Sequence, residues 1–128
     1  MAIKIGINGL GRIGRMVVRS LYENNYKDIE IKHINNRSNS KTASQLLKYD
    51  SIHGKFNCEI KSDNNHLVLK NKKITYTQHT KLEDINWKKH GVDYVLECTG
   101  KFNSKEKILS HIKNGAKKVV VSAPCKQS

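Results

Sequence analysis

Three glycines, Gly9, Gly11 and Gly14, follow the spacing G-x-G-x-x-G near the start of the chain. An alternating apolar run precedes them, and a helical stripe of apolar residues begins beside the third. In this context the first glycine permits a tight turn, the second lets backbone approach a ligand, and the third lets a helix pack close to a strand. Backbone amides at the start of a helix favour an anion. The spacing therefore predicts a site for the pyrophosphate of a dinucleotide.

The end of the second predicted strand departs from the usual form of this motif. A carboxylate is expected there, about 20 residues after the glycines, to bind ribose hydroxyls. The chain instead has Asn35-Asn36-Arg37-Ser38. Neutral Asn36 does not repel a 2′-phosphate, and Arg37 with Ser38 supplies a charge and a hydroxyl donor. NADP is therefore expected to be tolerated beside NAD; in the alternative, Asn36 bonds the ribose of NAD and Arg37 points to solvent.

Other residue types that perform chemistry are present but are not grouped. Cys58, Cys98 and Cys125 are widely spaced without a C-x-x-C pair, and the six histidines are irregularly spaced. No metal site is therefore predicted. Cys125 lacks the imidazole partner or helix N-terminus that activates a thiol, and Cys98 is interpreted as a small core residue. The acidic pair Glu83-Asp84 is interpreted as solvated charge, so no catalytic residue is assigned.

Strands and helices must alternate to position the glycine turn. Alternating or β-branched apolar runs predict strands at 3–7, 29–34, 92–96 and 118–121. Helical spacing of apolar residues predicts three helices. The first follows the glycine turn, the second contains Ala43, Leu46 and Leu47, and the third contains Ile108, Leu109 and Ile112. In the first helix Ile13 and Val17 belong to the apolar stripe, and Arg19 lies on another face. Residues 56–76 predict an antiparallel excursion. The fold class is α/β, a Rossmann-type doubly wound, mainly parallel sheet.

Composition limits the classes of protein that remain. The 128 residues include 24 Lys+Arg and 11 Asp+Glu, a net charge of +13. This length suits one domain, and the 8 Gly, 1 Pro and 3 Cys exclude collagen-like, disulfide-scaffold and low-complexity classes. With no long apolar run and no signal peptide, we expect an intracellular protein without a membrane partner. Because the basic residues are scattered, we interpret them as a solvated surface; a nucleic-acid-binding module is the alternative.

Four segments together resemble the N-terminal half of the phosphorylating glyceraldehyde-3-phosphate dehydrogenase family. Residues 7–15, I-N-G-L-G-R-I-G-R, are similar to its opening I-N-G-F-G-R-I-G-R. Residues 47–56, L-K-Y-D-S-I-H-G-K-F, are similar to its L-K-Y-D-S-x-H-G-x-F segment. Residues 97–102, E-C-T-G-K-F, resemble E-[SC]-T-G-x-F, and residues 121–124 resemble its V-S-A-P. The order and spacing of these segments agree with the family along essentially the whole chain.

This resemblance implies which residues bind the cofactor. They are Asn8, Gly9, Gly11, Arg12, Ile13, Asn36, Arg37, Thr80, Thr99, Gly100 and Ser122. Arg12 and Ile13 would present their backbone to the pyrophosphate, and Asn36 takes the place of the family's ribose-binding Asp. The loop Gln78-His79-Thr80 stands on the adenine side, and Thr80 replaces the Arg that the family commonly has there. Ser122 is expected near the nicotinamide end of the site.

The resemblance also implies an activity for a longer protein. Residues 1–128 would form one dinucleotide-binding domain, a fragment of a cytoplasmic, homotetrameric enzyme of glycolysis or gluconeogenesis. With NAD or NADP, that enzyme oxidises and phosphorylates its sugar-phosphate substrate, glyceraldehyde 3-phosphate, to 1,3-bisphosphoglycerate through a cysteine thioester. The family's S-C-T-T-N-C motif and its later general-base histidine are not in this sequence, so the chain holds only the cofactor half. Erythrose-4-phosphate dehydrogenase, which shares the glycine turn, is the alternative enzyme.

Overall fold

A computed structural model of the chain describes residues 3–23, 28–50, 54–55, 59–70, 72–98 and 105–121. The strands are β1 (Ile3–Asn8), β2 (Ile29–Asn35), β3 (Tyr49–Asp50), β4 (Gly54–Lys55), β5 (Ile60–Asp63), β6 (His66–Leu69), β7 (Lys72–Thr77), β8 (Tyr94–Glu97) and β9 (Lys118–Val121). The α-helices are α1 (Arg12–Glu23), α2 (Ser40–Lys48) and α3 (Lys105–Lys113), and two short 3-10 turns span Leu82–Asp84 and Lys88–His90.

The helix ends follow from local residue chemistry. Asn39 caps α2, because its side-chain oxygen accepts a hydrogen bond from the Thr42 amide at 2.8 Å. Gly115 follows α3 with a φ of 114°, a backbone conformation that favours glycine and ends the helix. Asn103 and Ser104, whose residue types suit the cap of α3, lie outside the described residues. Within the part of the chain that the structure describes, no helix is both long enough and apolar enough to cross a membrane.

Seven strands form one sheet in the order β5-β6-β7-β2-β1-β8-β9. β1 pairs in parallel with β2 and with β8, and the parallel pairing continues from β2 to β7 and from β8 to β9. β5, β6 and β7 are antiparallel neighbours, which confirms the predicted excursion for its described residues. The chain leaves β1 toward β2 and later returns to β8 on its other side. The strand order therefore reverses at β1, and ligands bind at such a reversal in open α/β sheets.

Two hydrophobic clusters cover the two faces of the sheet. On one face, α1 and α2 close a core that includes Ile7, Val18 and Leu47, each 0% exposed. On the other face, Trp87 is also fully buried and belongs to a cluster with Val95. Trp87 packs on β1 where residue 6 is glycine, since a Cβ on that residue would come within 2.5 Å of the indole ring. Successive residues of a strand face opposite sides, so Ile5 and Ile7 both enter the first cluster, and Gly6 between them faces Trp87.

The buried face of α1 follows the predicted stripe at Val17 and differs from it at other positions, and the buried face of α3 departs from the prediction. On α1, Ile13 is 38% exposed, whereas Arg19, expected on another face, is only 4% exposed. On α3, the expected apolar residues Leu109 and Ile112 are 51% and 42% exposed, and His111 is fully buried. The prediction was wrong for α3 because this helix docks through hydrogen bonds of His111, which hydrophobic spacing does not reveal.

Candidate functional site

A cleft of about 220 Å³ lies where β1, β2, β7 and β8 end. Six of the predicted cofactor-binding residues line this cleft together with four other residues. Its lining residues are Asn8, Gly9, Gly11, Asn35, Asn36, Arg37, His79, Thr80, Leu82 and Cys98. The carboxyl ends of these parallel strands therefore converge on one opening, as expected for the ligand site of an open α/β sheet.

The predicted residues fall into three groups by position. Asn8, Gly9, Gly11, Asn36, Arg37 and Thr80 line the cleft. Arg12 and Ile13 are exposed in the first turn of α1, directly after the glycine turn. Thr99, Gly100 and Ser122 lie outside the described residues.

The glycine turn has geometry that side chains would disturb at two of its three positions. Gly9 has a φ of 99°, a backbone conformation that favours glycine. A Cβ on Gly14 would lie 2.2 Å from the Gly9 carbonyl oxygen, so α1 packs directly on the turn. A Cβ on Gly11 would meet only the Cys98 carbonyl oxygen, at 3.8 Å. Gly11 is therefore not required for packing; its missing side chain leaves open space at the cleft.

Hydrogen bonds from both sides hold the turn in place. The Leu10 amide donates to Asn36 Oδ1 at 3.0 Å, and Arg15 Nη1 donates to the Leu10 carbonyl at 2.9 Å. The first amides of α1 have no acceptor within the helix, as at every helix start. The first turn of α1 has no acidic residue. Amide donors and the helix dipole thus face the cleft at Gly11, and the first turn of α1 places no carboxylate beside them.

Asn36 occupies the position expected to read the ribose. Its Oδ1 supports the turn through Leu10, and its Nδ2 donates to Ser38 Oγ at 2.7 Å. The Tyr76 hydroxyl donates to the Ser38 carbonyl, and burial raises the pKa of Tyr76, so the phenol keeps its proton at neutral pH. None of the described residues that line the cleft is acidic, and Arg37 is exposed at its edge.

Four cleft residues were not among those predicted to bind the cofactor, although one of them, His79, belongs to the loop that was expected on the adenine side. Asn35 and Cys98 directly neighbour predicted positions, whereas His79 and Leu82 flank Thr80 at a distance of no more than two residues. A position at or just beyond a strand end is the signal that could have identified Asn35, His79 and Cys98, whereas Leu82 lies in the 3-10 turn that follows β7. Cys98 is 7% exposed, which agrees with its interpretation as a near-core residue. Among the described residues no cluster of histidine, cysteine and carboxylate side chains is arranged to hold a metal ion.

A mostly parallel sheet whose first strand enters a glycine turn, with a cleft at the strand reversal, defines a dinucleotide-binding domain of the Rossmann type. Residues 3–105 match the family described as glyceraldehyde 3-phosphate dehydrogenase, NAD binding domain. The chain therefore belongs to the glyceraldehyde-3-phosphate dehydrogenase family and corresponds to its NAD-binding domain.

Curated relatives agree with this assignment. The chain is 44% identical to glyceraldehyde-3-phosphate dehydrogenase of Geobacillus stearothermophilus, over 98% of this chain and 37% of the relative. It is 43% identical to the Thermotoga maritima protein of the same name, over 96% of this chain and 37% of the relative. It is 47% identical to that of Colletotrichum lindemuthianum, over 95% of this chain and 36% of the relative. The chain thus spans little more than a third of the length of these relatives.

Proposed function

We propose that the cleft binds NAD with its pyrophosphate over Gly9, Gly11 and the start of α1. The single observation that carries this proposal is the open space at Gly11 beside the helix N-terminus, where backbone amides are accessible to a doubly charged bridge. The adjoining backbone of Arg12 and Ile13 extends the same anion site. Asn8 lies beneath the turn and is 2% exposed, so it supports the site from below.

The same proposal assigns the parts of the cofactor to different strand ends of the sheet. Asn36, directly after β2, binds the adenosine ribose, and Thr80 bounds the adenine side of the cleft. The nicotinamide then lies toward β8 and β9, where Thr99, Gly100 and Ser122 are expected to contact it. When bound, the nicotinamide supplies hydride acceptance. The described residues of this chain bind and orient the cofactor and leave the space above Gly11 free.

We further propose that the site accepts NADP as well as NAD. The absence of acidic side chains among the described cleft residues supports this, because no carboxylate is present there to repel a 2′-phosphate. The exposed Arg37 beside Asn36 adds a positive charge that would attract the 2′-phosphate. In the alternative arrangement, Asn36 bonds the NAD ribose and Arg37 remains in solvent.

For the whole protein we propose the activity for which the relatives are named. The parent enzyme would oxidise and phosphorylate glyceraldehyde 3-phosphate as a cytoplasmic homotetramer. A nucleophilic cysteine would hold the substrate's acyl group as a thioester, and phosphate would then displace the thiolate and take over the acyl group. The bound nicotinamide would supply the hydride acceptor for the oxidation, and a base would take the proton. We place the cysteine and the base in a separate substrate domain, so that this chain contributes cofactor binding. The relatives give no support to erythrose-4-phosphate dehydrogenase or to a nucleic-acid-binding module as alternatives.

Calorimetric titration of NAD and NADP into the chain tests the cofactor proposal. We expect one saturable site for each, with adenosine binding far more weakly because it lacks the pyrophosphate. A folded chain that binds neither nucleotide, or that binds adenosine as tightly as NAD, contradicts the proposal. The pure chain is also expected to produce no NADH from glyceraldehyde 3-phosphate and phosphate; phosphate-dependent turnover would contradict the separation of the two domains.

A further inference from the structure

The last residues of four adjacent parallel strands form a continuous polar row beneath the cleft. Thr77 ends β7, Asn35 ends β2, Asn8 ends β1 and Glu97 ends β8, and each is in register with its neighbour. We call this row the strand-end ladder. Residues in register on parallel strands point to the same face, so their side chains can bond across the sheet. The ladder lies on the face that also carries Trp87 and α3.

Hydrogen bonds connect the whole ladder. Thr77 Oγ1 donates to Asn35 Oδ1 at 2.7 Å, and Asn35 Nδ2 donates to Asn8 Oδ1 at 2.9 Å. Asn8 Nδ2 then donates to Glu97 Oε1 at 2.7 Å. Asn8, Asn35 and Glu97 are 2%, 3% and 1% exposed. Buried polar groups without partners are costly, so each member depends on its neighbours.

A histidine fixes the far end of the ladder. Trp87 Nε1 donates to His111 Nδ1 at 3.0 Å, and an indole nitrogen can only donate. His111 Nδ1 is therefore unprotonated, and Nε2 carries the proton that is donated to Glu97 Oε1 at 2.7 Å. His111 is fully buried, which prevents water from replacing these bonds. The ladder is thus tied to α3 and to the cluster around Trp87.

Asn35 connects the ladder to the wall of the cleft. Its Oδ1 accepts from the His79 amide at 2.9 Å, and its Nδ2 donates to the His79 carbonyl at 2.9 Å. Together with the bonds to Thr77 and Asn8, these use both amide protons and both lone pairs of the Asn35 side chain. No capacity remains for a ligand, although Asn35 borders the cleft. The Asn35 side chain can therefore affect binding through the neighbours that it holds, His79 and Asn8, and not through a contact with the ligand.

We infer that Asn35 is a positioning residue that holds the backbone at His79 and Thr80 at a set distance from the glycine turn, and so preorganises the adenosine side of the cleft. This inference rests on the proposed orientation of the cofactor. Asn35 reaches the turn by two routes, through the side chain of Asn8 and through its own carbonyl, which accepts from the Gly9 amide at 2.7 Å. Preorganised walls bind more tightly because less ordering is left for the ligand to impose.

The test measures ADP-ribose affinity of the chain by calorimetry, at a temperature where circular dichroism shows each variant folded. Asn35→Ala removes all the hydrogen bonds of the Asn35 side chain to Thr77, Asn8 and His79. Asn35→Asp keeps the side-chain volume and the oxygen that accepts from the His79 amide, but it loses both hydrogen bonds that Nδ2 donates. We expect each to raise the Kd about tenfold, the loss typical of buried hydrogen-bond partners. Ile74→Val is the matched control, since it removes a methylene from a residue of β7 that is 1% exposed; its Kd should remain that of the wild type.

The outcomes separate this inference from the function on which it rests. A wild-type chain that does not bind ADP-ribose contradicts the proposed cofactor site itself. A wild-type chain that binds, with folded Asn35 variants of unchanged Kd, overturns the positioning role while the site stands. If neither variant folds, hydrogen exchange on the wild type decides: the His79 amide is expected to be protected, and rapid exchange there would overturn the inference.

Discussion

The parallel strand ends and the antiparallel strands β5 and β6 belong to one sheet but are stabilised by different interactions. Along β6, fully buried Leu67 and Leu69 alternate with the partly exposed His66 and Val68. At the strand ends, by contrast, buried asparagines and a glutamate bond to one another beside a glycine turn. Hydrophobic burial is non-directional, whereas hydrogen bonds require defined partners. The antiparallel strands should therefore tolerate exchange of apolar residues, and the strand ends should not tolerate exchange of polar ones.

The largest expected effect is on stability and lies in the antiparallel region. Leu67→Ala should lower the free energy of unfolding by about 2–5 kcal/mol, because it leaves a cavity opposite Ile74 in the register of β6 and β7. Denaturant unfolding measures this, with Val68→Ala as the control on the other face of the same strand. NAD affinity at a temperature where the variant is folded should be unchanged; a large loss of affinity would show that the two regions are coupled.

Gly14→Ala should lower both the stability of the fold and the affinity for NAD. Its Cβ would lie 2.2 Å from the Gly9 carbonyl, so α1 must move away from the turn, at a cost of about 1–3 kcal/mol or more. The displaced helix start should also weaken NAD binding. Thermal unfolding and calorimetry measured on the same sample test the two effects. A variant with wild-type melting temperature and affinity would show that this close approach does not exist in solution.

Gly11→Val should affect binding alone. The nearest atom to a Cβ here is 3.8 Å away, so the fold should tolerate the substitution, but the side chain would occupy the space assigned to the pyrophosphate. We expect a loss of about 100-fold in NAD affinity, which corresponds to about 2.7 kcal/mol. Gly11→Ala, with one methyl group, should lose less. Wild-type affinity in Gly11→Val would refute the proposed place of the pyrophosphate.

A feature of the fold or the site could be predicted from the sequence when the residues that determine it are close together in the chain. The roles of Gly9 and Gly14 in turn and packing follow from a short motif, because backbone conformation and close approach are set by neighbouring residues. The bonds of Asn8 to Glu97 and of Asn35 to His79 join residues 89 and 44 positions apart, and only the register of the sheet brings them together. The burial of His111 was missed for the same reason.

Asn36→Asp tests the cofactor preference, with a smaller expected effect. The carboxylate can keep the bond from the Leu10 amide and accept from the Ser38 hydroxyl, so the turn should keep its geometry. The added charge should lower NADP affinity relative to NAD by about tenfold, or about 1.4 kcal/mol. Asn39→Asp adds the same charge at the cap of α2, outside the lining of the cleft, and should leave the ratio unchanged. An unchanged ratio in Asn36→Asp would mean that position 36 does not read the ribose.

The smallest effect is expected at Asp63, in the turn between β5 and β6. The Asn65 amide bonds to its carboxylate at 2.8 Å and, with His66, lowers the pKa of Asp63 below its ordinary 3.8. A lowered folded-state pKa stabilises the fold above the ordinary value and ceases to do so as pH falls through the folded-state value. Asp63→Asn should therefore melt slightly below the wild type at pH 6, and the difference should shrink as the pH falls below 3.8. A difference independent of pH would contradict this assignment.

Amide chemical shifts of the ¹⁵N-labelled chain during titration with NAD test the central claim most directly, namely that the glycine turn and the start of α1 bind the pyrophosphate. We predict that the largest shifts occur at the amides of Gly9, Gly11, Arg12 and Ile13, and that the amides of β5 and β6 barely move. Saturable binding that leaves the turn unshifted, or whose largest shifts lie in the antiparallel strands, would contradict the account.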